Sequence, residues 1–277
     1  MGSVHTMEKL LKPLGDDNTS GSVQIALHAM KRIRRIIRDK NTRVTVRLLG
    51  RIAEQLILAQ PSMGIMLNLA HGIGKMKGKA LRNDMLLFLD GFETSIETHR
   101  RLIAGKVFNL LKGKNSVVMT YSASSTVLES LKFAYKHGRK FSVVILESRP
   151  MNEGRKMMVS LAKSSIPVTY MTDAAGMSML VSEQVDTILL GGDALYGDGF
   201  VCKTGSRAIA GLCAGRKVHV YGLCGTEKTV PEELKSRFVV VDRPAKELTD
   251  FRNKFVTVLN RYFEVVPSDL FTGIITD

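Results

Sequence analysis

Four apolar runs in this chain each end in residues that could do chemistry. SVVMTY delivers Tyr121, Ser122, Ala123, Ser124 and Ser125 to its exit, and FSVVILES delivers Glu147, Ser148 and Arg149. PVTYMT ends at Thr172 and Asp173, and VDTILLGG leads to Asp193. Hydroxyls, a guanidinium and carboxylates gathered at one place suit a polyol phosphate better than an apolar ligand. The pair Gly191–Gly192 lets backbone come close just before Asp193, although two glycines also serve a tight turn. In KTGSRAIAG, Thr204 to Ser206 open a helix whose free N–H groups attract an anion, and Lys203 adds a point charge. An ordinary capped helix with a surface lysine fits the same residues. Neither GxxxxGK[ST] nor GxGxxG after a strand occurs, so no P-loop, dinucleotide or other cofactor is expected.

The elements that must position these groups fall into two parts. From about Met7 to Lys112, helical patterns are joined by short polar turns. SGSVQIALHAMKRIRRII predicts a capped helix, and VTVRLLGRIAEQLILAQ predicts a second that stops before Pro61. PSMGIMLNLAHGIGKMK restarts with proline in a first turn. ALRNDMLLFLDGFETSIETHRRLIAGKVFNLL suits a helical hairpin or bundle leading into the second part. From Asn115 onward SVVMTY, FSVVILES, PVTYMT, VDTILLGG, KVHVYGL and RFVVVD read as short strands, most of them separated by helices. Gly138 supplies a helix stop, while Asn152, Asp173 and Thr204 are candidate helix starts. Alternating units of this kind predict an α/β fold. A helical domain over 1–112 precedes a Rossmann-like, doubly wound, mostly parallel sheet domain over 113–277. Ligands of such sheets bind at the carboxyl ends of the strands.

Composition narrows the function classes. At 277 residues and 44% apolar, the chain can bury a sizeable core. No segment approaches the roughly 20 apolar residues of a membrane span, and MGSVHTMEKLLKPLG lacks the pattern of a secretory signal. MGSVHT is set aside from the fold argument. Cys202, Cys213 and Cys224 form neither a disulfide framework nor a zinc motif, the histidines are scattered, and no metal is expected. Scarce cysteine and no signal point to the cytoplasm. A net charge of +14 suggests acidic partners. Its densest run, KRIRRIIRDKNTR, places Ile33, Ile36 and Ile37 at helical spacing, which predicts an amphipathic helix with a solvated basic face. No aromatic residue interleaves with those charges, so nucleic acid is not the favoured partner.

Taken together, MTYSASSTVLESL, ESRPMNEGRKM, VTYMTDAAGMSML, LLGGDALYGDGFVCKTGS and PSDLFTGIITD resemble, in order, the motifs of the regulatory subunits (alpha, beta, delta) of translation initiation factor 2B. Methylthioribose-1-phosphate and ribose-1,5-bisphosphate isomerases belong to the same superfamily. The resemblance runs from about Ser20 to the end and implies a homodimer formed through the Rossmann-like domain, with a proline before a closing helix. In the isomerases a cysteine and an aspartate work as acid and base around an opened sugar. Asp193 holds the aspartate position here, and Ser122 holds that of the cysteine. A serine hydroxyl ionises far less readily than a thiol. Phosphate-directed arginines are replaced as well: Arg-Gly-Ala is Ser20-Gly21-Ser22, and the arginine before the proline is Gln60. Of Asn-Lys-x-Gly, Lys203 and Gly205 remain while the asparagine is Cys202.

The resemblance implies a regulatory subunit with a catalytically degraded isomerase pocket that binds a sugar phosphate or nucleotide. Ser122, Ser124, Arg149, Asp173, Asp193, Lys203 and Gly205 are the expected ligand-binding residues. Expected partners are a second copy and the translation initiation machinery, including the GTP-binding initiation factor 2. The alternative is an aldose–ketose isomerase on ribose 1,5-bisphosphate or methylthioribose 1-phosphate with Asp193 as base.

Overall fold

A computed structural model describes residues 11–17, 20–113, 115–182 and 184–277. The beginning of the helical stretch expected from Met7 lies outside them. The chain divides into two compact units: residues up to Thr98 with Thr226–Val239, and His99–Gly225 with Val240–Asp277.

Unit 1 is helical, with α1 (Pro13–Asp16), α2 (Ser22–Arg38), α3 (Val46–Ala59), α4 (Gly64–Gly74) and the first part of α5 (Leu81–Leu110). The basic run lies on α2 as its spacing predicts. Ala26, Ala29, Met30, Ile33, Ile36 and Ile37 are buried, while Lys31, Arg35 and Arg38 are exposed. Gly21 caps α2 without a side-chain bond, whereas Thr45 caps α3 by accepting from Leu48 N. Helix α4 is nearly all core and begins at Gly64, so Pro61 falls in the turn before it and not in its first turn. The expected hairpin over 80–111 is instead one unbroken 30-residue helix, because no proline interrupts its pattern. The segment Thr226–Val239 is built from short 3-10 turns: Arg237 pairs with Glu54 of α3 at 2.7 Å, and Ser62 Oγ donates to Val239 O at 2.6 Å.

Unit 2 contains the predicted doubly wound sheet. Its strands are β1 (Ser116–Tyr121), β2 (Phe141–Leu146), β3 (Val168–Met171), β4 (Thr187–Gly191), β7 (His219–Leu223) and β9 (Gly273–Ile275). They lie in the order β3-β2-β1-β4-β7-β9, all parallel. Strand residues alternate between two cores, as a period of two demands. Val118, Val143, Ile145 and Leu189 pack with Ile103 and Val107 of α5 and with Val127 and Leu131 of α6 (Ser125–Lys136). On the other face Met119, Val144, Ile188 and Leu190 pack with Leu180 of α8 (Asp173–Val181) and Ile209 of α9 (Ser206–Cys213). Helix α7 (Gly154–Ala162) contributes Met157 and Leu161 to the first core.

Three sequence expectations change. RFVVVD forms no strand: its first residue ends a 3-10 turn, its one ladder-type pairing is the isolated bridge of Asp242 to Arg261, and none of its apolar residues is fully buried. The stretch read as a loop before KTGS contains a hairpin, β5 (Ala194–Tyr196) and β6 (Gly199–Lys203), which β8 (Phe263–Pro267) joins as a small antiparallel sheet. After Pro267 the chain makes a 3-10 turn and then edge strand β9, not a closing helix.

Candidate ligand site at the head of the parallel sheet

The order of strands reverses between β1 and β4, so the crevice of this sheet opens beyond their carboxyl ends. There the segments that leave β1 and β4 come very close. A Cβ on Gly191 would lie 2.2 Å from both Cβ and Oγ of Ser124, so only glycine fits. Ser124 itself caps α6, accepting from Val127 N at 3.3 Å. Ser122, directly after β1, has φ +64°, and Ser148, after β2, has φ +62°. Left-handed backbone in non-glycine residues costs about 1–3 kcal/mol, and its recurrence at two strand exits marks sharp, specified turns.

Asp173 braces one of those turns. Its two carboxylate oxygens accept from Ser148 N at 2.8 Å and Arg149 N at 2.9 Å. Helix α8 begins at Asp173 as predicted, and Thr172 is its cap, with its hydroxyl accepting from Ala175 N. Arg149 is exposed, and its guanidinium has no ion-pair partner among the described residues. Asp193 is half-buried; its N–H donates to Val201 O at 2.7 Å, and its carboxylate has no hydrogen-bond partner among the described residues.

Lys203 departs most from a free phosphate-binding cation. It is buried, its Nζ lies 2.6 Å from Glu153 Oε1, and it stands 4.1 Å over the Tyr262 ring. The start of α9 is also filled from within the chain. Gly205, at φ +109°, is the cap position in place of the predicted Thr204, and Glu264 Oε1 accepts from Gly205 N at 2.8 Å and Arg207 N at 2.9 Å. A carboxylate thus sits where the helix dipole would hold a phosphate. Tyr121 closes the cluster, donating its hydroxyl to Thr204 O at 2.8 Å. Burial, reinforced by Asp173, pushes its phenol pKa well up, so it stays a neutral donor. Glu153 Oε2 and Thr204 Oγ1 are buried with no hydrogen-bond partner among the described residues. Native proteins leave few such atoms unsatisfied, and bound water or a ligand is the usual complement. Glu153, Tyr262 and Glu264 escaped the sequence reading, whereas Tyr121 was among the residues it placed at the exit of β1. The signal available for Glu153 was its place in ESRPMNEG; Glu264, from a distant strand, had none.

Cys202 is buried on β6, and burial raises its thiol pKa far above the ordinary range. Within unit 1, fully buried Gln60 donates its amide to Leu14 O at 2.8 Å and Asp17 O at 3.2 Å. Asp17 Oδ1 in turn accepts from Ser20 N at 2.9 Å. Gln60 and Ser20, at the two positions where the resemblance would place phosphate-directed arginines, are thus tied into the fold of their own segment.

The profile of the initiation factor 2 subunit family matches residues 18–277. A ribose 1,5-bisphosphate isomerase from Archaeoglobus fulgidus is 27% identical over 81% of this chain and 73% of its own. A protein named as a putative translation initiation factor eIF-2B subunit 2-like from Pyrococcus horikoshii is 28% identical, over 82% and 78%. The crystal structure of the translation initiation factor eIF-2B of Pyrococcus horikoshii OT3 superposes with a TM-score of 0.83 at 23% identity, covering 98% of this chain and 94% of that one. It shares the fold described above. With the ordered motifs, the switch-point sheet and the profile match in agreement, the chain belongs to the initiation factor 2 subunit family.

Proposed function

We propose that this chain is a regulatory subunit of the initiation factor 2B type. In this reading it works in the cytoplasm as a homodimer within the translation initiation machinery. The site at the head of the parallel sheet holds a small phosphorylated ligand, a sugar phosphate or nucleotide, without converting it. The observation that carries this reading is the buried Lys203–Glu153 pair at 2.6 Å. A lysine already neutralised by its own chain is a weak clamp for a reacting phosphate, because the ligand must displace a buried carboxylate. Ser122 in place of a thiol supports the same conclusion, since a hydroxyl without a base is a poor proton carrier. Ligand binding without turnover is supported by Arg149, Asp193 and the partnerless oxygens of Glu153 and Thr204. Self-association is supported by the exposed apolar side chains Phe251, Phe255, Val256 and Leu259 in unit 2. Affinity purification from the native cell tests the role. Recovery of initiation factors is expected, and recovery of sugar-metabolising enzymes alone would count against it.

A second reading is favoured by one observation: the carboxylate of Asp193 is uncommitted at the head of β4. In an aldose–ketose isomerisation it would act as base on the opened sugar, and a second acid would be needed to complete the transfer. Ketose formation from methylthioribose 1-phosphate that disappears in Asp193→Asn would establish this reading over the first.

A further inference from the structure

In unit 1 a cleft of about 430 Å³ opens between the connection from α2 to α3 and the start of α5. Its lining includes Lys40, Arg43, Lys79 and Arg82, together with the amides of Asn41 and Asn83, and no carboxylate among the described residues. We propose that this cleft binds a small molecule carrying a chain of two or more phosphates. The proposal stands independently of the site at the parallel sheet.

The walls are fixed before any ligand arrives. Arg82 donates to the carbonyl oxygens of Ile37, of Asp39 at 3.2 Å and of Thr42 at 2.5 Å, fastening the end of α2 to the start of α5. The nearby Asp39 carboxylate is spent on its own turn, accepting from Asn41 N at 3.0 Å and Thr42 Oγ1 at 3.3 Å. Lys40, Arg43 and Lys79 are exposed and have no ion-pair partner among the described residues. Cations converging on one concavity repel one another unless an anion joins them. A di- or triphosphate chain presents several anionic groups to the four cations of the lining, where orthophosphate presents one. The volume lies within the range of about 300–1,000 Å³ typical of small-molecule sites. The exposed amides of Asn41 and Asn83 offer donors and acceptors to whatever group carries the phosphates. A cleft without aromatic lining among the described residues gives the bases of a nucleic-acid strand nothing to stack on, which favours a compact polyanion.

Isothermal titration calorimetry on the full chain tests this, with tripolyphosphate, orthophosphate, ATP and single-stranded RNA as probes. Tripolyphosphate should bind with one-to-one stoichiometry, at least about tenfold tighter than orthophosphate. The triple variant Lys40→Ala/Arg43→Ala/Lys79→Ala should lose at least about tenfold. Lys31→Ala/Arg35→Ala, which removes exposed charges elsewhere on α2, should bind as the parent does. All five positions are exposed, so the variants should retain the parent's circular dichroism. ATP binding as tightly as tripolyphosphate supports a nucleotide ligand, and weaker ATP binding supports an inorganic polyphosphate. Three results would overturn the proposal: no preference over orthophosphate, equal losses in both variants, or RNA binding that strengthens with length and outcompetes tripolyphosphate.

Discussion

Glu153→Gln removes one charge from a buried pair and leaves Lys203 with its ammonium intact. The side chains of Lys203 and Glu153 are only 7% and 13% exposed, and their closest atoms are 2.6 Å apart. Removing one partner from a buried pair costs about 3–5 kcal/mol, because the remaining charge has been stripped of water. The amide keeps one acceptor for the ammonium and Tyr262 keeps its ring beneath it, so the low end, about 3 kcal/mol, is expected. For a unit of this size each kcal/mol moves the melting temperature by about 2–4 °C, which predicts a fall of about 6–12 °C. The chain offers a clean probe. It has no tryptophan, and its six tyrosines (Tyr121, Tyr135, Tyr170, Tyr196, Tyr221 and Tyr262) all lie in unit 2, so tyrosine fluorescence during urea or thermal unfolding reports on unit 2 alone. A double-mutant cycle with Lys203→Met isolates the pairing from the loss of packing. A change below about 1 kcal/mol, the range of solvent-exposed pairs, would refute the claim that Glu153 neutralises a desolvated lysine.

Other perturbations probe the supports of the site. Gly191→Ala forces a methyl group against Ser124 and should destabilise unit 2 by about 1–3 kcal/mol, read by the same tyrosine signal. Gln60→Leu strands the carbonyls of Leu14 and Asp17 and should cost about 1–3 kcal/mol, seen in far-ultraviolet circular dichroism as earlier loss of helix. Burial raises the Cys202 and Tyr121 pKa values above their unfolded values, so their neutral forms favour the folded state. That stability is fully present below the unfolded cysteine pKa of about 8.5 and is lost as pH rises above it. Denaturation midpoints should therefore fall from about pH 8.5 upward, and Cys202→Ala should weaken the early part of that fall. Thiol reagents at neutral pH should leave Cys202 unmodified until the chain unfolds.

The central strands were legible because they are continuous apolar runs covered on both faces, as Val143, Val144 and Ile145 illustrate. Asp193, Ser122 and Arg149 were legible for the same reason, since a strand exit in such a sheet is a predictable place. Partners across the chain were not. Nothing local to KTGS announces that Glu264, 59 residues on, will occupy the start of α9, or that Glu153 will reach Lys203. RFVVVD misled because β-branched residues form a strand only where a neighbour pairs with them, and here β9 takes the edge beside β7. The excursion of Thr226–Val239 into the helical unit rests on contacts such as Arg237 with Glu54, which no periodicity encodes.

Phosphorus NMR of ribose 1,5-bisphosphate incubated with the purified chain reads conversion directly. On the proposed regulatory reading, with Lys203 paired to Glu153, the protein should leave the substrate resonances at their original chemical shifts throughout, broadened at most by binding. A growing pair of ketose bisphosphate resonances, abolished by Asp193→Asn, would contradict that account and make this chain a working isomerase.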